Sequence, residues 1–434
     1  MDHSRTTRTR LRARVLPRLA LAGVAALPLA ALPWGIAGAQ TPGSGTTWVV
    51  HEHESIQAAV DAAQSGDTIL IEPGTYQEAV CVDGKGLTIV GAGRGEGGTA
   101  IVWPDWQTPA DLPAVPSTPC WEAQDAADPE SLPGLQDDVS ALFFLDPDSP
   151  VVVRSLSTRN HPAHGIAAWG ADGFSVSDTS GYAHDRYGIL AANSTGSRIH
   201  GNIETGLDRG TAEQPNSGTA GISSGDSDYA DATIADNRVE GFNLGIFVRE
   251  SRSGRITGNT VTGNCVGINI FDDSATEVPD TSRNVPAGDW VVQGNSSIAN
   301  DRFCLAGIGE VNASLRVSGT GVTVVNADEV DIVHNVIQDN VPSVDPATLQ
   351  FPAGGLTLLT LPPFNNPQGI DPGPVTNVRV IANTITGNAP VDILLGWPPP
   401  LDTQLPPPGP GIVFLANTCG TSYPPGTADC GGGA

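Results

Sequence analysis

Apolar and polar positions along this chain repeat as a phrase. Between Gly188 and Asp272 the chain reads Gly188-Ile189-Leu190, Ile199-His200-Gly201-Asn202, Gly221-Ile222, Ile234-Ala235-Asp236-Asn237, Gly245-Ile246-Phe247, Ile256-Thr257-Gly258-Asn259 and Gly267-Ile268-Asn269-Ile270. Each unit is a Gly-Ile step, a short run of alternating residues, a polar turn, then Ile-x-x-Asn. A repeat of about 20–25 residues built from short strands is the mark of a solenoid. Coils of a parallel β-helix lie about 4.8 Å apart, so equivalent positions stack in columns. One inward column is expected to hold Ile166, Ile189, Ile222, Ile246, Ile268, Val322 and Leu356. A second holds Val176, Ile199, Ile234, Ile256, Val292, Ile332 and either Val380 or Ile381. The spacing predicts about eight to ten coils.

Inward turns carry backbone polar groups that need partners, and stacked asparagines satisfy them. Asn202, Asn237, Asn259, Asn295, Asn335, Asn383 and Asn417 fit one ladder; Asn264, Asn300, Asn340 and Asn388 fit a second, five residues later. These asparagines are read as scaffold.

An open solenoid end exposes strand edges and core, so a cover is required. Ser55-Ile56-Gln57-Ala58-Ala59-Val60-Asp61-Ala62-Ala63 predicts a short capping helix with Ser55 as N-cap, within a cap over 47–76. The run SIQAAVDAAQSGDTILIEPGTYQEAVCVDGKGLTIVGAG, with the Gly-Ile…Ile-x-x-Asn units after it, resembles secreted right-handed parallel β-helix repeat proteins of the pectin lyase-like superfamily, and among them actinobacterial members. The resemblance spans about 47–420 and implies an all-β, single-domain right-handed parallel β-helix with a short N-terminal capping helix. It implies no one activity, because that superfamily holds lyases, esterases, hydrolases, epimerases and non-catalytic proteins. The Asp-rich polygalacturonase signatures, the methylesterase motifs and the Asp-Pro-His motif of alginate epimerases are not visible.

Residues 1–39 read as a cleaved signal peptide: Arg5, Arg8, Arg10, Arg12, Arg14 and Arg18, an apolar run from Leu19 to Leu32, and Ala37-Gly38-Ala39 before Gln40. The expected product, 40–434, is secreted and monomeric. No membrane anchor is expected, since no Cys sits at the cleavage point and no later stretch is long and apolar enough to span. Without the leader 15 basic and 46 acidic residues remain, a net charge of −31, with Lys85 the only lysine. Such a surface disfavours nucleic acid and anionic lipid, and also polyanionic substrates unless a local basic patch or calcium compensates.

Six cysteines in an exported chain read as three disulfides. Six allow 15 connectivities; the simplest is sequential, Cys81–Cys120, Cys265–Cys304 and Cys419–Cys430, the last tying a tail over 411–434. A long insertion rich in Pro, Asp and Ala covers 103–140.

Two clusters carry candidate chemistry. Coils aligned on Gly165 and Gly188 place His161 beneath His184 and His164 beneath Tyr187, with Asp185 and Arg186 beside them. Two imidazoles, a carboxylate, a guanidinium and a phenol suit proton transfer alpha to a uronate carboxylate, as in a lyase or epimerase. The plain alternative is a polar column covering the coil edge. The second cluster is Asn193, Asp226, Glu250 and Asp272, five residues after each Gly-Ile glycine, with Asp228, Asp231 and Asp273 nearby. Stacked carboxylates raise a pKa or collect a cation, and calcium is the cation expected outside cells; ordinary turn formation is the alternative. Gly93-Arg94-Gly95-Glu96-Gly97-Gly98 precedes a strand pattern and is discounted as a nucleotide loop. His51 and His53 lack further zinc ligands. Trp103, Trp106 and Trp121 read as a sugar platform or as loop anchors.

The resulting expectation is a secreted protein that binds or modifies extracellular polysaccharide or cell-wall glycan. As an enzyme it would be a lyase, epimerase or glycoside hydrolase. The competing class is a non-catalytic extracellular scaffold or adhesion protein.

Overall fold

The computed structural model describes residues 45–127, 134–209, 218–273, 286–308, 313–362, 372–399, 402 and 404–428. Three parallel ladders run through the stack. The first starts at Thr47–Val50 and Thr68–Ile71 and ends at Val413–Leu415. The second has eleven strands, from Gly74–Tyr76 to Thr418–Cys419. The third runs from Val80–Asp83 to Ser422–Tyr423. One long strand, Leu244–Thr257, bends through a corner and pairs in both the third and the first ladders. Among the described residues this is a right-handed parallel β-helix, with eleven coils rather than eight to ten. The extra coils lie at the ends, where strands such as Gly74–Tyr76 and Thr418–Cys419 are two or three residues long and lack the Gly-Ile phrase.

Both expected columns form. Ile166, Ile189, Ile222, Ile246, Ile268, Val322 and Leu356 pair in unbroken register. Val176, Ile199, Ile234, Ile256, Val292, Ile332 and Val380 do the same, which decides for Val380 over Ile381. All are essentially inaccessible to water. Burying each such side chain contributes about 1.5–3 kcal/mol before conformational entropy is subtracted.

The seven-asparagine ladder forms as well. Each backbone N–H and side-chain amide donates to the Oδ1 of the next Asn, from Asn202 on Asn237 to Asn383 on Asn417. Thr179 caps the series, its N–H and hydroxyl both donating to Asn202 Oδ1. The residue before each ladder Asn turns the corner with positive φ, 67° at Gly201 and 54° at Asp236.

The helix Ile56–Ala62 covers the first coil with Ile56 and Val60 buried. Ser55 Oγ accepts from Ala58 N at 3.1 Å, and the Glu78 carboxylate accepts from Ile56 N and Gln57 N, each at 3.0 Å. These bonds satisfy the free donors of the first turn. At the other end Lys85 Nζ donates to Val60 O at 2.8 Å and Ala63 O at 3.0 Å, so the chain's only lysine closes the helix C-terminus.

Two excursions lie on the outward face of the third ladder. The segment from Trp103 onward carries the helix Pro119–Ala127, stapled by Cys81–Cys120, and packs Trp121 and Val139 on Phe143 and Ala167. An antiparallel hairpin of Cys304–Ile308 and Ala313–Val317 is stapled by Cys265–Cys304 and packs on Val325, Leu359 and Leu394. Cys430 lies outside the described residues, as does the leader over 1–39. No helix among the described residues is long and apolar enough to cross a membrane.

Candidate functional site

The polar turn column around His161 is built by the second ladder. Strands Ser157–Arg159 and Ser180–Tyr182 pair in register, and two residues after each comes a histidine, His161 and His184. Two residues after Thr260–Thr262, Ser296–Ile298, Val336–Gln338 and Thr384–Thr386 come Asn264, Asn300, Asn340 and Asn388. The two histidines are therefore upstream members of the second asparagine ladder. Their rings stack with centroids 5.6 Å apart, and His164 lies 5.3 Å from the Tyr187 ring.

This column is dry. His161, His164 and His184 are all 1% exposed or less. His161 Nε2 donates to Glu78 O at 2.9 Å; His184 Nε2 bonds Thr158 Oγ1 and His164 Nε2 bonds Gln124 Oε1, both at 2.8 Å. Burial pushes the His161 imidazole down to about 4. It also drives His164 and His184 well below the usual 6.5, helped by Arg186 beside His164 and by His161 beside His184. Arg186 pairs with Asp138 at 3.3 Å, and Arg209 reaches Asp185 at 3.8 Å while lying 4.3 Å over the Trp106 ring. The structure thus brings His161, His164, His184, Asp185, Arg186 and Tyr187 together, under an insertion that supplies Trp103, Trp106, Gln124 and Asp138. The geometry gives the three imidazoles no face toward a polymer.

The acidic column lies at the far end of the third-ladder strands. Register carries Asn193 onto Asp226, Asp226 onto Glu250 and Glu250 onto Asp272, and continues to Asn326 and Thr360. Asp272 is buried, and its Oδ2 accepts from Ala287 N at 3.0 Å. Among the described residues no group of three or more His, Cys, Asp or Glu could hold a metal ion.

A different arrangement forms beside the column. Arg249 grips Asp273 with two hydrogen bonds, Nε to Oδ1 at 3.2 Å and Nη2 to Oδ2 at 3.0 Å. Glu250 is 1% exposed and hydrogen-bonds Asp273. Burial pushes the Glu250 carboxyl up to about 10; Arg249 opposes the shift, while Asp273 and Asp226 reinforce it. Burial lowers Arg249, but the Asp273, Glu250 and Asp226 carboxylates outweigh it and leave the guanidinium above its usual range. A carboxyl whose pKa burial raises thus lies beside a carboxylate held by a cation. Unlike the histidine column, this cluster has a wet side: Asp226 and Phe271 are half-buried, and Asp228 and Tyr229 are exposed. Arg249 was not singled out from sequence. The available signal was register, since Arg249-Glu250 in one coil falls opposite Phe271-Asp272 in the next.

A family model described as "Periplasmic copper-binding protein (NosD)" matches residues 138–278, about a third of the chain. No curated protein matches. Among solved structures, the chain is similar to a mutant of the periplasmic alginate epimerase AlgG, at 14% identity over 82% of this chain and 77% of that one, with TM-score 0.48. It is also similar to the catalytic domain of a GH87 alpha-1,3-glucanase mutant in complex with tetrasaccharides, at 13% identity over 88% of this chain and 67% of that one, TM-score 0.49. The chain is a right-handed parallel β-helix that resembles pectin lyase-like proteins, and its similarity to the NosD family falls on the coils that carry both polar columns.

Proposed function

We propose that this chain is an exported β-helix protein that acts on a polysaccharide by acid–base chemistry at Glu250 and Asp226, beside the Arg249–Asp273 pair. The observation that carries the reading is the placement of Glu250, buried beside an Asp273 that Arg249 grips with two hydrogen bonds, an environment whose burial pushes the Glu250 carboxyl up to about 10. Breaking a glycosidic bond calls for a carboxylic acid that protonates the leaving oxygen and a second carboxylate that meets the sugar or its water. Glu250 is the donor, and Asp226, one coil away in the same column, is the second carboxylate. Exposed Tyr229 offers a ring on which a sugar can stack.

Copper, named in the matched family's description, does not fit the residues present. Soft ligands are lacking, because Met1 is the only methionine and no described cysteine is free. Each buried imidazole spends Nε2 on an oxygen, and although Nδ1 is unpartnered, no group of three or more His, Cys, Asp or Glu among the described residues could hold a metal ion.

The test uses residues 40–434 and a panel of neutral and acidic polysaccharides, following reducing ends and the absorbance of unsaturated uronates. Conversion by the wild type that falls at least a hundredfold in Glu250→Gln supports the reading. Conversion that survives Glu250→Gln but is lost in His161→Ala/His184→Ala would move the chemistry to the histidine column. Binding without conversion would leave a non-catalytic scaffold.

A further inference from the structure

The outward face of the first ladder gathers positive charge on a chain that has little of it. Successive side chains of a strand point to opposite faces. Phe174 and Val176, Ile199, Ala232 and Ile234, and Ile256 fill the core, so Ser175, Arg198, Thr233 and Arg255 form one outward column in unbroken register. Arg154, Ser177, His200, Ala235 and Thr257 form the column beside it. Arg154, Arg198, His200 and Arg255 are exposed, and the Ser, Thr and Ala side chains among them are half-buried. Three of the 15 basic residues that remain without 1–39 thus stand on five coils, while neither column holds any of the 46 acidic ones. Acids flank the strands instead, at Asp172, Asp178, Asp231 and Asp236. Asp178 is held by Arg94 at 3.3 Å and by Ser155 Oγ at 3.0 Å. Arg198 meets Asp231 at 2.9 Å with both side chains about half exposed, an ion pair worth little in water and open to exchange. Arg154 and Arg255 have no ion pair among the described residues. Coils rise about 4.8 Å, so Arg154, Arg198 and Arg255 follow one another along the axis in steps of about 9.6 Å. A coil of hydroxyls lies within each step, Ser175 and Ser177 in the first and Thr233 in the second.

We infer that this face binds a linear acidic polysaccharide laid along the solenoid axis, with its carboxylates on Arg154, Arg198 and Arg255 and its hydroxyls on the Ser and Thr coils between them. A guanidinium presents paired N–H donors that match a carboxylate. A serine or threonine hydroxyl both donates to and accepts from a sugar hydroxyl. Duplex DNA is the wrong polyanion, because it carries one charge per about 1.7 Å of axis, far denser than three cations over about 19 Å. Single-stranded nucleic acid binds on aromatic platforms, and these columns carry no Phe, Tyr or Trp. The face is the local basic patch that a polyanionic partner of a chain with net charge −31 requires. It lies on a different ladder from the Asp226–Glu250 column, so the inference stands independently of the chemistry proposed there.

The experiment is calorimetric titration of residues 40–434 with six-sugar oligogalacturonate and oligomannuronate, beside a neutral manno-oligosaccharide of the same length and inorganic polyphosphate. A chelator is present throughout, so that calcium cannot bridge carboxylates. The titration is repeated on Arg154→Gln/Arg255→Gln and on a charge-matched control, Arg238→Gln/Arg316→Gln, whose arginines are exposed on other strands. At least one uronate is expected to bind, more weakly as salt rises, with the neutral chain and polyphosphate at least tenfold weaker. In the Arg154/Arg255 variant uronate affinity falls at least tenfold while the melting temperature holds; in the control it stays within about twofold. The inference is overturned if neither uronate binds, if the neutral chain or polyphosphate binds as tightly, or if the Arg154/Arg255 variant binds like the wild type. It is also overturned if the control loses as much, which would make the effect one of net charge alone.

Discussion

His184 stacks on His161 at the turn position that Asn264 and Asn300 occupy further along the same ladder. The pair is therefore ladder in another chemistry, and His161→Asn/His184→Asn is expected to fold. Its clearest effect is on pH. The folded-state pKa values of His161 and His184 lie below the usual 6.5, at about 4 for His161. Between about 4 and 6.5 the unfolded chain binds more protons than the folded one, so stability falls as pH falls through that window. Melting temperatures from pH 7 down to 4 should decline less steeply in the double variant, with His164 supplying the remaining slope. An unchanged slope would mean that these rings are not buried in neutral form.

Glu204 stands alone inside the second ladder. It is 1% exposed, Oε2 has no partner, and burial holds its carboxyl well above the usual 4.5. Gly181 and Gly188 make room for it, because a methyl group at either would strike the carboxylate. A raised folded-state pKa means that the folded chain binds more protons above 4.5, so stability falls as pH rises from there. Glu204→Gln removes that loss. Its melting temperature should exceed the wild type's by several degrees at pH 7 to 8, with the advantage vanishing below about 4.5.

Asn259 sits in mid-ladder with every polar atom engaged. Its N–H and Nδ2 donate to Asn295 Oδ1 at 2.9 Å, Nδ2 also reaches Ile234 O at 2.9 Å, and Oδ1 accepts from Asn237 N at 2.9 Å and Asn237 Nδ2 at 3.0 Å. Asn259→Ala strands two donors on Asn237 and takes a donor from Asn295 Oδ1 and Ile234 O in a low-dielectric turn, and a loss of roughly 3–5 kcal/mol is expected in denaturant unfolding. A loss under about 1 kcal/mol would show that water replaces the amide.

Most of the scaffold was legible because the repeat writes each position several times. The Ile columns, both Asn ladders and the Ser55 cap follow from spacing, whereas the pairings Cys81–Cys120 and Cys265–Cys304 were the simplest of many connectivities and are decided by the structure. Register also placed His161 beneath His184 and Glu250 beneath Asp272. Burial was not legible. Nothing in residues 103–140 announces that Gln124 will meet His164, or that Trp106 will lie under Arg209, because an insertion has no periodicity to fix where it folds back. The Arg249–Asp273 grip was hidden for a related reason. Glu250 turns the corner with φ 45°, and the directions of side chains at such a corner are set by packing rather than by strand alternation.

The most direct test of this account is the protonation state of Glu250, followed by isotope-edited NMR of the glutamate side-chain carboxyls across pH. Glu204→Gln and Glu250→Gln assign the signals. The account predicts that the Glu250 carboxyl remains protonated through neutral pH and titrates near 10. A Glu250 signal that titrates with the exposed glutamates near 4.5 would contradict it, and would leave the Arg249–Asp273 pair without the proton that the proposed chemistry needs.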